Sequence, residues 1–430
     1  MTTVLLVVFF VTMLASVPIV ISIIGSSIIS LELFGNITKH FIASQIFGAM
    51  GSFTLIALPF FMLAGNLMLK GGISERLVTF CEALLGRRTG AMGLVAITAC
   101  MIFAAISGSG PAAVAAMGMI MLPIMKEHKY DMGYAASLVA TAGGLGIIIP
   151  PSLPMISYCL MADISVGAMF MSGIIPGIMI GVACMILNYF VAKKKGFGKA
   201  RERKLTFKEF MKAIKESILA LLMPIIILGG IYGGIFTATE ASCVAVVYGL
   251  IVGVFVYKKI TWKVFKEMLF DSAKSSGGMM MIFAVCNAFN WVLTIQQIPT
   301  KLTNFITSTF TTATSFLWAL IILLLILGCF MAVNAAIIIL TPLLVPIAHA
   351  YGFTLIQLGI IMIVCLNVGG ITPPFGVQMF ITSSISETPV EKMFKWIFLF
   401  VVLNVIILIP LVAFPEISLW LPRIMGFTIS

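Results

Sequence analysis

Long runs of apolar residues dominate the chain, and short polar or glycine- and proline-rich stretches separate them. The runs are continuous and do not alternate with polar residues, which predicts α-helices and excludes the strands of a β-barrel. Many approach the roughly 20 residues that a helix needs to span a bilayer. They lie near residues 4–29, 53–69, 91–106, 112–125, 135–162, 168–192, 218–236, 241–257, 277–295, 316–331, 335–348, 355–381 and 396–414. The pattern predicts an all-α polytopic membrane protein whose first 30 residues form one uncleaved helix.

Two pairs of runs are too short to span a bilayer comfortably. The runs 91–106 and 112–125 are separated by Ser107–Pro111, and the runs 316–331 and 335–348 by Ala332–Asn334. Each run has only about 14 to 16 residues, a length that suits re-entrant segments better than spans. We therefore expect two re-entrant helical hairpins, 91–125 and 316–348, with their tips inside the protein.

Two longer runs are interrupted by double prolines. Pro150-Pro151 divides the run 135–162, and Pro373-Pro374 divides the run 355–381. A proline has no N–H, so the carbonyl four residues before it loses its helical partner. Both runs are therefore predicted to be broken helices.

The same features recur at a nearly constant distance along the chain. The two proline pairs are 223 residues apart, and so are Pro123 and Pro346, and Gly146 and Gly369. This spacing predicts an internal repeat with a first half at 1–192 and a second at 216–430, joined by a basic loop at 193–215. Opposite insertion of the halves gives an inverted repeat with broken helices, the pattern of secondary transporters.

Composition and charge agree with a membrane protein. Hydrophobic residues make up 61% of the 430 residues and charged residues only 10%, which excludes a soluble enzyme. Of the 26 Lys and Arg residues behind the net charge of +11, ten lie between Lys193 and Lys215. Because short basic loops between apolar spans stay in the cytoplasm, we interpret this run as a topology signal and expect no nucleic-acid partner.

Other polar residues offer little chemistry. The eight cysteines form no C-x-x-C motif and the three histidines match no zinc spacing, so we expect small buried thiols and no metal cluster of this kind. Asp163 and Glu240 are acids near apolar runs. Each fits the end of a span, and Glu240 after Thr237 fits a helix-capping position.

The broken helices leave carbonyl groups that need a partner. Pro150 and Pro151 free the carbonyls of Gly146 and Ile147, and the second pair frees those of Gly369 and Gly370. In lipid such groups must be satisfied, either by water or a neighbouring hydroxyl, or by a cation. Hard oxygen ligands without a fixed carboxylate suit Na⁺ better than a transition metal. Further oxygens come from Ser107, Ser109, Asn334, Asn367 and Thr372.

Several sequence runs resemble the large membrane subunit of tripartite ATP-independent periplasmic (TRAP) transporters. These runs are 59–66 (PFFMLAGN), 107–112 (SGSGPA), 146–152 (GIIIPPS), 237–241 (TATEA), 335–342 (AAIIILTP) and 372–376 (TPPFG). The resemblance implies Na⁺-driven uptake of an organic acid, such as sialic acid or a C4-dicarboxylate, across the bacterial inner membrane. It also implies an elevator mechanism, a periplasmic substrate-binding protein and a small four-helix membrane subunit.

The resemblance also implies site residues. One Na⁺ site would involve Ser107, Ser109, Gly146, Ile149 and Pro151, and the repeat offset places a second at Ala332, Gly369, Thr372 and Pro374. Candidate substrate contacts are Asn66, Gly108, Asn334 and Asn367. Two positions depart from the family pattern: Ala332 replaces a frequent acid in the second hairpin, and Ala238 replaces a proline.

Two other classes of function remain open from the sequence. An intramembrane enzyme could use Ser107 as a nucleophile, since the residues around it approach the Gly-x-Ser-Gly of membrane serine proteases, but no histidine lies mid-span as its base. An ion channel could also be built from repeats and carbonyl sites. Two occluding hairpins favour alternating access over a continuous pore.

Overall fold

The computed structural model describes residues 2–15, 17–34, 40–197 and 206–429, and this part of the chain contains helices and no strand. Eight helices within these ranges are long and apolar enough to cross a bilayer, in agreement with a polytopic membrane protein. The helices are α1 (Thr2–Leu14), α2 (Ile19–Phe34), α3 (His40–Met50), α4 (Ala57–Lys70), α5 (Ile73–Leu85), α6 (Ala91–Ser107), α7 (Gly110–Glu127), α8 (Met132–Gly144), α9 (Leu153–Ala162), α10 (Val166–Lys195), α11 (Phe207–Tyr232), α12 (Ala238–Ile251), α13 (Trp262–Ile295), α14 (Ile298–Thr309), α15 (Ala313–Phe330), α16 (Val333–Tyr351), α17 (Leu355–Ile371), α18 (Val377–Ser386), α19 (Val390–Ala413) and α20 (Glu416–Ile424).

The N-terminal run forms two helices that pack against each other, so the prediction of a single helix is wrong. The chain leaves α1 after Leu14 and starts α2 at Ile19, directly after Pro18. The Pro18 carbonyl accepts the first hydrogen bonds of α2 from Ile21 and Ser22. Pro18 itself has no N–H to donate, so it is suited to the start of a helix and not to its interior.

The four short apolar runs form helices α6, α7, α15 and α16, which contain 17, 18, 18 and 19 residues. Flanking polar residues extend the last two beyond their apolar runs, for example Thr314 at the start of α15 and His349 at the end of α16. Both helices are therefore long enough to cross a bilayer, and shortness alone does not distinguish the second pair from ordinary spans.

Both double prolines interrupt a helix where the sequence predicts it. At the first break, Pro150-Pro151, α8 is followed by a 3₁₀ turn at Leu145–Ile147, and the chain becomes helical again at Leu153. In the second, α17 ends at Ile371 and α18 begins at Val377. All 17 residues of α17 are buried, which explains why this segment has no polar face along its length.

Basic helix ends gather on one face of the protein. Helix α10 ends in Lys193–Lys195, and α11 continues the basic run from Phe207, with 198–205 outside the described residues. The Arg76 guanidinium lies 3.6 Å from the centre of the Tyr257 ring, and the Ser217 hydroxyl donates to the Arg76 carbonyl. The first half of α11, the start of α5 and the segment after α12 therefore lie together, as expected if the basic loops before α11 and after α12 share one side of the membrane.

The two broken helices approach their breaks from opposite faces. Tyr130, just before α8, stacks on Phe197, which follows the basic end of α10, with ring centres 4.4 Å apart. By contrast, the Tyr158 hydroxyl near the end of α9 donates to the carbonyl of Leu355 at the start of α17. Helix α9 leads away from the basic face, towards the start of α10. Helices α8 and α17 are therefore antiparallel in their approach to the centre of the protein.

The isolated acids occupy helix ends. The Thr237 hydroxyl accepts from the Glu240 N–H, and the Glu240 carboxylate accepts from the Thr237 N–H at 2.8 Å, so the predicted capping role of Glu240 is confirmed. Asp163 is exposed and follows the last residue of α9. All eight cysteines are free thiols, and six of them are buried.

Candidate functional site

The tip of the first hairpin is a glycine turn fixed to the broken helix beside it. Helix α6 ends at Ser107, Gly108 has a left-handed φ of 62°, and Ser109 is extended before α7. The Gly108 carbonyl accepts a hydrogen bond from the Leu153 N–H at 3.0 Å. A Cβ atom on Gly108 would lie 2.9 Å from the Pro151 carbonyl oxygen. Both the backbone conformation and the close approach therefore require glycine.

One of the two carbonyls freed by the first break has a hydroxyl partner. The Ser152 hydroxyl donates to the Ile147 carbonyl at 2.7 Å and accepts from the Met155 N–H at the start of α9. The structure gives the Gly146 carbonyl no hydrogen bond within the described residues. The alternative of a neighbouring hydroxyl thus applies at the Ile147 carbonyl and not at the Gly146 carbonyl.

Most of the first predicted cation set lies together at this break. A Cβ atom on Gly146 would lie 2.9 Å from the Ser109 carbonyl oxygen, and Pro151 approaches the tip through Gly108. Ser107 is buried, and its hydroxyl lies 3.5 Å from the Ser109 carbonyl oxygen. Ile149 directly precedes the proline pair. Its side chain lies against Gly177 of α10, so only its backbone carbonyl could contribute a ligand to the predicted cation site.

The residues of the second predicted Na⁺ site are more exposed to solvent, and some of their polar groups already have hydrogen-bond partners. The Thr372 N–H donates to the Gly369 carbonyl at 2.9 Å, and the Thr372 hydroxyl donates to Val368 at 2.6 Å. Each acceptor oxygen retains a lone pair that a cation could use. Gly369 touches Gly328 of α15 backbone to backbone, whereas Ala332 and Pro374 are exposed.

A cavity of about 190 Å³ joins the tips of both hairpins and both breaks. It is lined by Gly108, Ser109, Pro111, Ile147, Leu153, Pro154, Met279, Gly328, Met331, Ala332, Val333, Asn334, Gly370, Val377 and Gln378. Two of the four predicted substrate residues, Gly108 and Asn334, are in this lining. The cavity lies where the two halves of the sequence meet.

The lining carries no formal charge but has a strong backbone polarity. None of these fifteen described residues has a side chain that ionises near neutral pH. Helices α7, α9, α16 and α18 all begin at the lining, at Gly110, Leu153, Val333 and Val377. Each helix N-terminus carries roughly half a positive charge, so the four together favour an anion. The ends of α6 and α15 contribute carbonyl oxygens of the opposite polarity nearby.

Gln378 is a site residue that the sequence analysis missed. It is 2% exposed, lines the cavity, and donates from Nε2 to Asn367 Oδ1 at 3.1 Å. Asn367 is therefore connected to the cavity through Gln378. A Cβ atom on Gly144 would lie 2.6 Å from both of these amide oxygens, so the two broken helices meet at this point. A lone polar residue directly after the second break is the signal that could have identified it.

Asn66 lies on the other side of the first hairpin tip. It lines a second cavity of about 200 Å³ with Gly65, Ser107, Ser109 and Ser275 among the other lining residues. Its Nδ2 donates to the Ser272 hydroxyl of α13 at 2.7 Å. Asn66 is therefore not grouped with Asn334 and Asn367 around the main cavity, although Ser109 borders both spaces.

Comparison with known families gives a match over nearly the whole chain. The family described as "Tripartite ATP-independent periplasmic transporter, DctM component" matches residues 6–417. The isethionate TRAP transporter permease protein DctMQ of Oleidesulfovibrio alaskensis is 38% identical over 95% of this chain, which spans 64% of that protein's length. The C4-dicarboxylate TRAP transporter large permease protein DctM of Pseudomonas aeruginosa is 37% identical, with 94% of each chain covered. The sialic acid TRAP transporter large permease protein SiaM of Vibrio cholerae is 33% identical, covering 95% of this chain and 96% of its own.

A solved structure shares the fold. The crystal structure of the Alcanivorax borkumensis YdaH transporter superposes with a TM-score of 0.60, covering 90% of this chain and 87% of its own. The sequence identity is 13%, so this likeness concerns the architecture alone.

Proposed function

The chain belongs to the DctM family of large permease components of TRAP transporters, and we propose that it carries out Na⁺-coupled uptake of an organic acid. Its relatives are named as permeases for isethionate, C4-dicarboxylates and sialic acid, so a small organic anion is the proposed class of substrate. The family assignment makes it a multi-pass membrane transporter component and not an enzyme. The proposed location is the inner membrane.

The observation that carries the proposal is the uncharged central cavity at the start of four helices. An anion in this cavity would be stabilised by the N-terminal N–H groups of α7, α9, α16 and α18. Broken helices whose N-termini meet a substrate at the centre of the membrane are typical of secondary transporters. The lack of a basic side chain among the fifteen lining residues leaves these helix ends as the proposed source of positive potential.

Sodium sites are proposed beside this cavity, on the carbonyl-rich side of each hairpin tip. For the first site, the unpartnered Gly146 carbonyl next to Ser109 supports the proposal. For the second, the Thr372 hydroxyl and the Gly369 carbonyl each keep a free lone pair. The cavity lining has no residue that could carry a proton near neutral pH, which favours Na⁺ over H⁺ as the coupling ion.

An inverted repeat and an elevator motion are part of the proposal. The antiparallel approach of α8 and α17 to their breaks supports opposite insertion of the halves 1–192 and 216–430. In the proposed elevator, both hairpins and both broken helices move as a transport domain against α4 and α13. Small or polar residues at that contact, such as Gly65 against Ser107 and Ser275 beside the same hairpin tip, support a surface on which sliding is possible.

Two partners are proposed from the tripartite organisation of the family: a small four-helix membrane subunit and a periplasmic binding protein. We propose that the binding protein delivers the acid to this chain. Reconstitution tests this dependence: proteoliposomes with the chain and its small subunit should show little uptake until the binding protein is added. Full uptake by this chain alone would reject the three-part proposal.

A nucleophilic role for Ser107 finds no support in the geometry. Of the histidines whose side chains the structure describes, His128 follows α7 at the end opposite the hairpin tip. At 1.5 Å per residue, it lies roughly 27 Å along the helix axis from Gly110. His349 is likewise near the far end of α16. Neither is within reach to act as a base for Ser107.

A further inference from the structure

Helix α13 meets the proposed transport domain at two asparagine side chains that have poor hydrogen-bond partners. Asn334, at the start of α16, donates from Nδ2 to the Met279 sulfur of α13 at 3.6 Å. Eleven residues further along α13, Asn290 donates from Nδ2 to the Met161 sulfur of α9 at 3.7 Å. Within the described part of the chain, Oδ1 of each asparagine is buried and has no hydrogen-bond partner. Both contacts therefore pair an amide with a thioether across the same boundary.

These contacts are weak for buried amides. A thioether sulfur is a weak acceptor and has no donor to offer the amide oxygen. A buried oxygen without a donor costs free energy, which is recovered when a better partner arrives. A second amide is the matched partner, because each nitrogen can donate to the oxygen of the other. Asn290 and Asn334 could satisfy each other in this way, whereas the methionines satisfy neither.

The two contacts lie on one face of α13. Eleven residues make roughly three full turns of an α-helix, so Met279 and Asn290 face the same side, about 16 Å apart along the axis. The helix is continuous from Trp262 to Ile295. A shift of Asn334 along this face, from the level of Met279 to that of Asn290, would therefore bring the two amides together.

The same shift removes the present partner of Asn290. Helices α9 and α16 pack against each other, so Met161 and Asn334 move as one body in the proposed elevator. Only five residues of α13 follow Asn290, so Met161 would be carried past the end of that helix. Helix α13 begins in the basic segment after α12 and leads away from the basic face. The shift is thus directed towards the periplasm in the proposed topology.

Resting on the proposed elevator, we propose that Asn290 is a positioning residue that receives Asn334 when the transport domain moves towards the periplasm. The present structure is then the inner state, with Asn334 at Met279, and the outer state has Asn334 at Asn290. The paired amides stabilise the outer state, and the weak contacts with sulfur make the inner state easy to leave.

Cysteine pairs test this exchange in proteoliposomes that contain the chain and its small subunit, on a background without the eight native cysteines. Asn334→Cys with Met279→Cys reports the inner state, and Asn334→Cys with Asn290→Cys reports the outer state. A short bifunctional thiol reagent should join both pairs. Addition of Na⁺ and the loaded binding protein should raise the yield of the second product and lower that of the first. Either cross-link should stop uptake.

A control pair shows whether the reaction reports the correct face of α13. Ala288 is two residues before Asn290, at nearly the same height but on roughly the opposite side of the helix. Asn334→Cys with Ala288→Cys should therefore not be joined. Equal reaction of this control and of the pair at Asn290 would overturn the assignment. So would the absence of a product between positions 334 and 290 under every condition in a complex that takes up the acid.

Maximal uptake rates give a second test that needs no cross-link. Asn290→Leu and Asn334→Leu should each lower the rate about fivefold, the equivalent of a lost hydrogen bond. The double variant should be no slower than the slower single variant, because both changes remove one shared contact. Residues that never meet would instead give additive losses, here about twenty-fivefold, and this result would overturn the proposal. Asn290→Gln keeps an amide and should keep most of the rate.

Failure of this proposal can be distinguished from failure of the proposed function. If the cross-link between positions 334 and 279 stops uptake but no product forms between 334 and 290, transport stands and the role of Asn290 is wrong. If the first cross-link leaves uptake unchanged, both the elevator and the role of Asn290 are contradicted. If no Na⁺ gradient drives uptake, yet the two products respond in opposite directions, the role of Asn290 stands and the proposed Na⁺ coupling is wrong.

Discussion

The Gly108 carbonyl accepts a hydrogen bond from the Leu153 N–H across 3.0 Å, and this bond joins the first hairpin tip to the first broken helix. Gly108 is the residue after α6 and Leu153 is the first of α9, so a carbonyl-rich helix end meets an N–H-rich helix start. The proposed cation and anion sites lie on either side of this contact. Changes at the contact should therefore affect transport more strongly than similar changes elsewhere.

Gly108→Ala should abolish most uptake and lower the thermal unfolding midpoint. The left-handed φ of 62° disfavours alanine by roughly 1–2 kcal/mol. A Cβ atom would in addition lie 2.9 Å from the Pro151 carbonyl oxygen. Gly352→Ala is the matched control, because Gly352 has a φ of 74° and nothing within 4 Å of its Cβ position. If Gly108→Ala and Gly352→Ala lost stability and uptake equally, backbone strain alone would explain the effect, and the close approach of Gly108 to Pro151 would have no part in transport.

Ser107→Ala and Thr372→Ala should each raise the Na⁺ concentration needed for uptake. Loss of one neutral ligand among several should cost on the order of 1–2 kcal/mol. This corresponds to a roughly five- to thirtyfold weaker apparent affinity. Uptake is measured across a Na⁺ series at equal expression. Unchanged Na⁺ curves for both variants would leave the backbone carbonyls as the only ligands.

The control for Ser107→Ala and Thr372→Ala must be a hydroxyl residue that has no structural role at the proposed Na⁺ sites. Ser152 is unsuitable, although it lies just past the first proline pair, because its hydroxyl caps α9 and satisfies the Ile147 carbonyl. Thr294→Ala is suitable: Thr294 is exposed on α13 and its hydroxyl donates to the carbonyl four residues earlier, as the Thr372 hydroxyl does. Its Na⁺ curve should match the wild type.

Gly369→Ala should destabilise the protein and inactivate it. A Cβ atom there would lie 2.4 Å from the Gly328 Cα, and neither backbone can move without shifting α15 or α17. Gly278→Ala is the control, since Gly278 is inside α13 with nothing within 4 Å. There alanine should stabilise the helix by about 0.5–1 kcal/mol. A Gly369→Ala protein with wild-type uptake and melting would contradict the packing described for α15 and α17.

The basic face should be cytoplasmic. Lys194→Cys and Ser165→Cys place single thiols at exposed positions near the two ends of α10, on a background without the eight native cysteines. In intact cells, an impermeant thiol reagent that enters the periplasm should label the thiol at 165 and spare the one at 194. Labelling in the opposite order would invert the proposed topology.

Much of this arrangement could be predicted from the sequence because proline and glycine act locally. Pro150-Pro151 and Pro373-Pro374 each interrupt a helix at their own position, and Gly108 permits a turn that other residues resist. Pro18 acts in the same local way, yet the continuous apolar run around it concealed the end of α1.

The contacts between distant segments could not be predicted in this way. Gln378 contacts Gly144 and Gly110 only because the two halves of the chain fold together. No local sequence pattern predicts a contact between segments so far apart in the chain. Asn66 and Asn334 look alike in sequence, but the hairpin tip separates them. The Ser152 hydroxyl satisfies Ile147 because the turn at the break brings them together, which depends on the geometry of the break.

The most direct test of Na⁺-coupled uptake uses proteoliposomes with this chain, its small subunit and the binding protein loaded with its radiolabelled acid. An inward Na⁺ gradient should drive the acid to a higher concentration inside than outside, and a Na⁺ ionophore should release the accumulated acid. An inward K⁺ gradient of equal size should give only equilibration. Accumulation that persists without a Na⁺ gradient, or uptake that never exceeds equilibrium under one, would contradict the account.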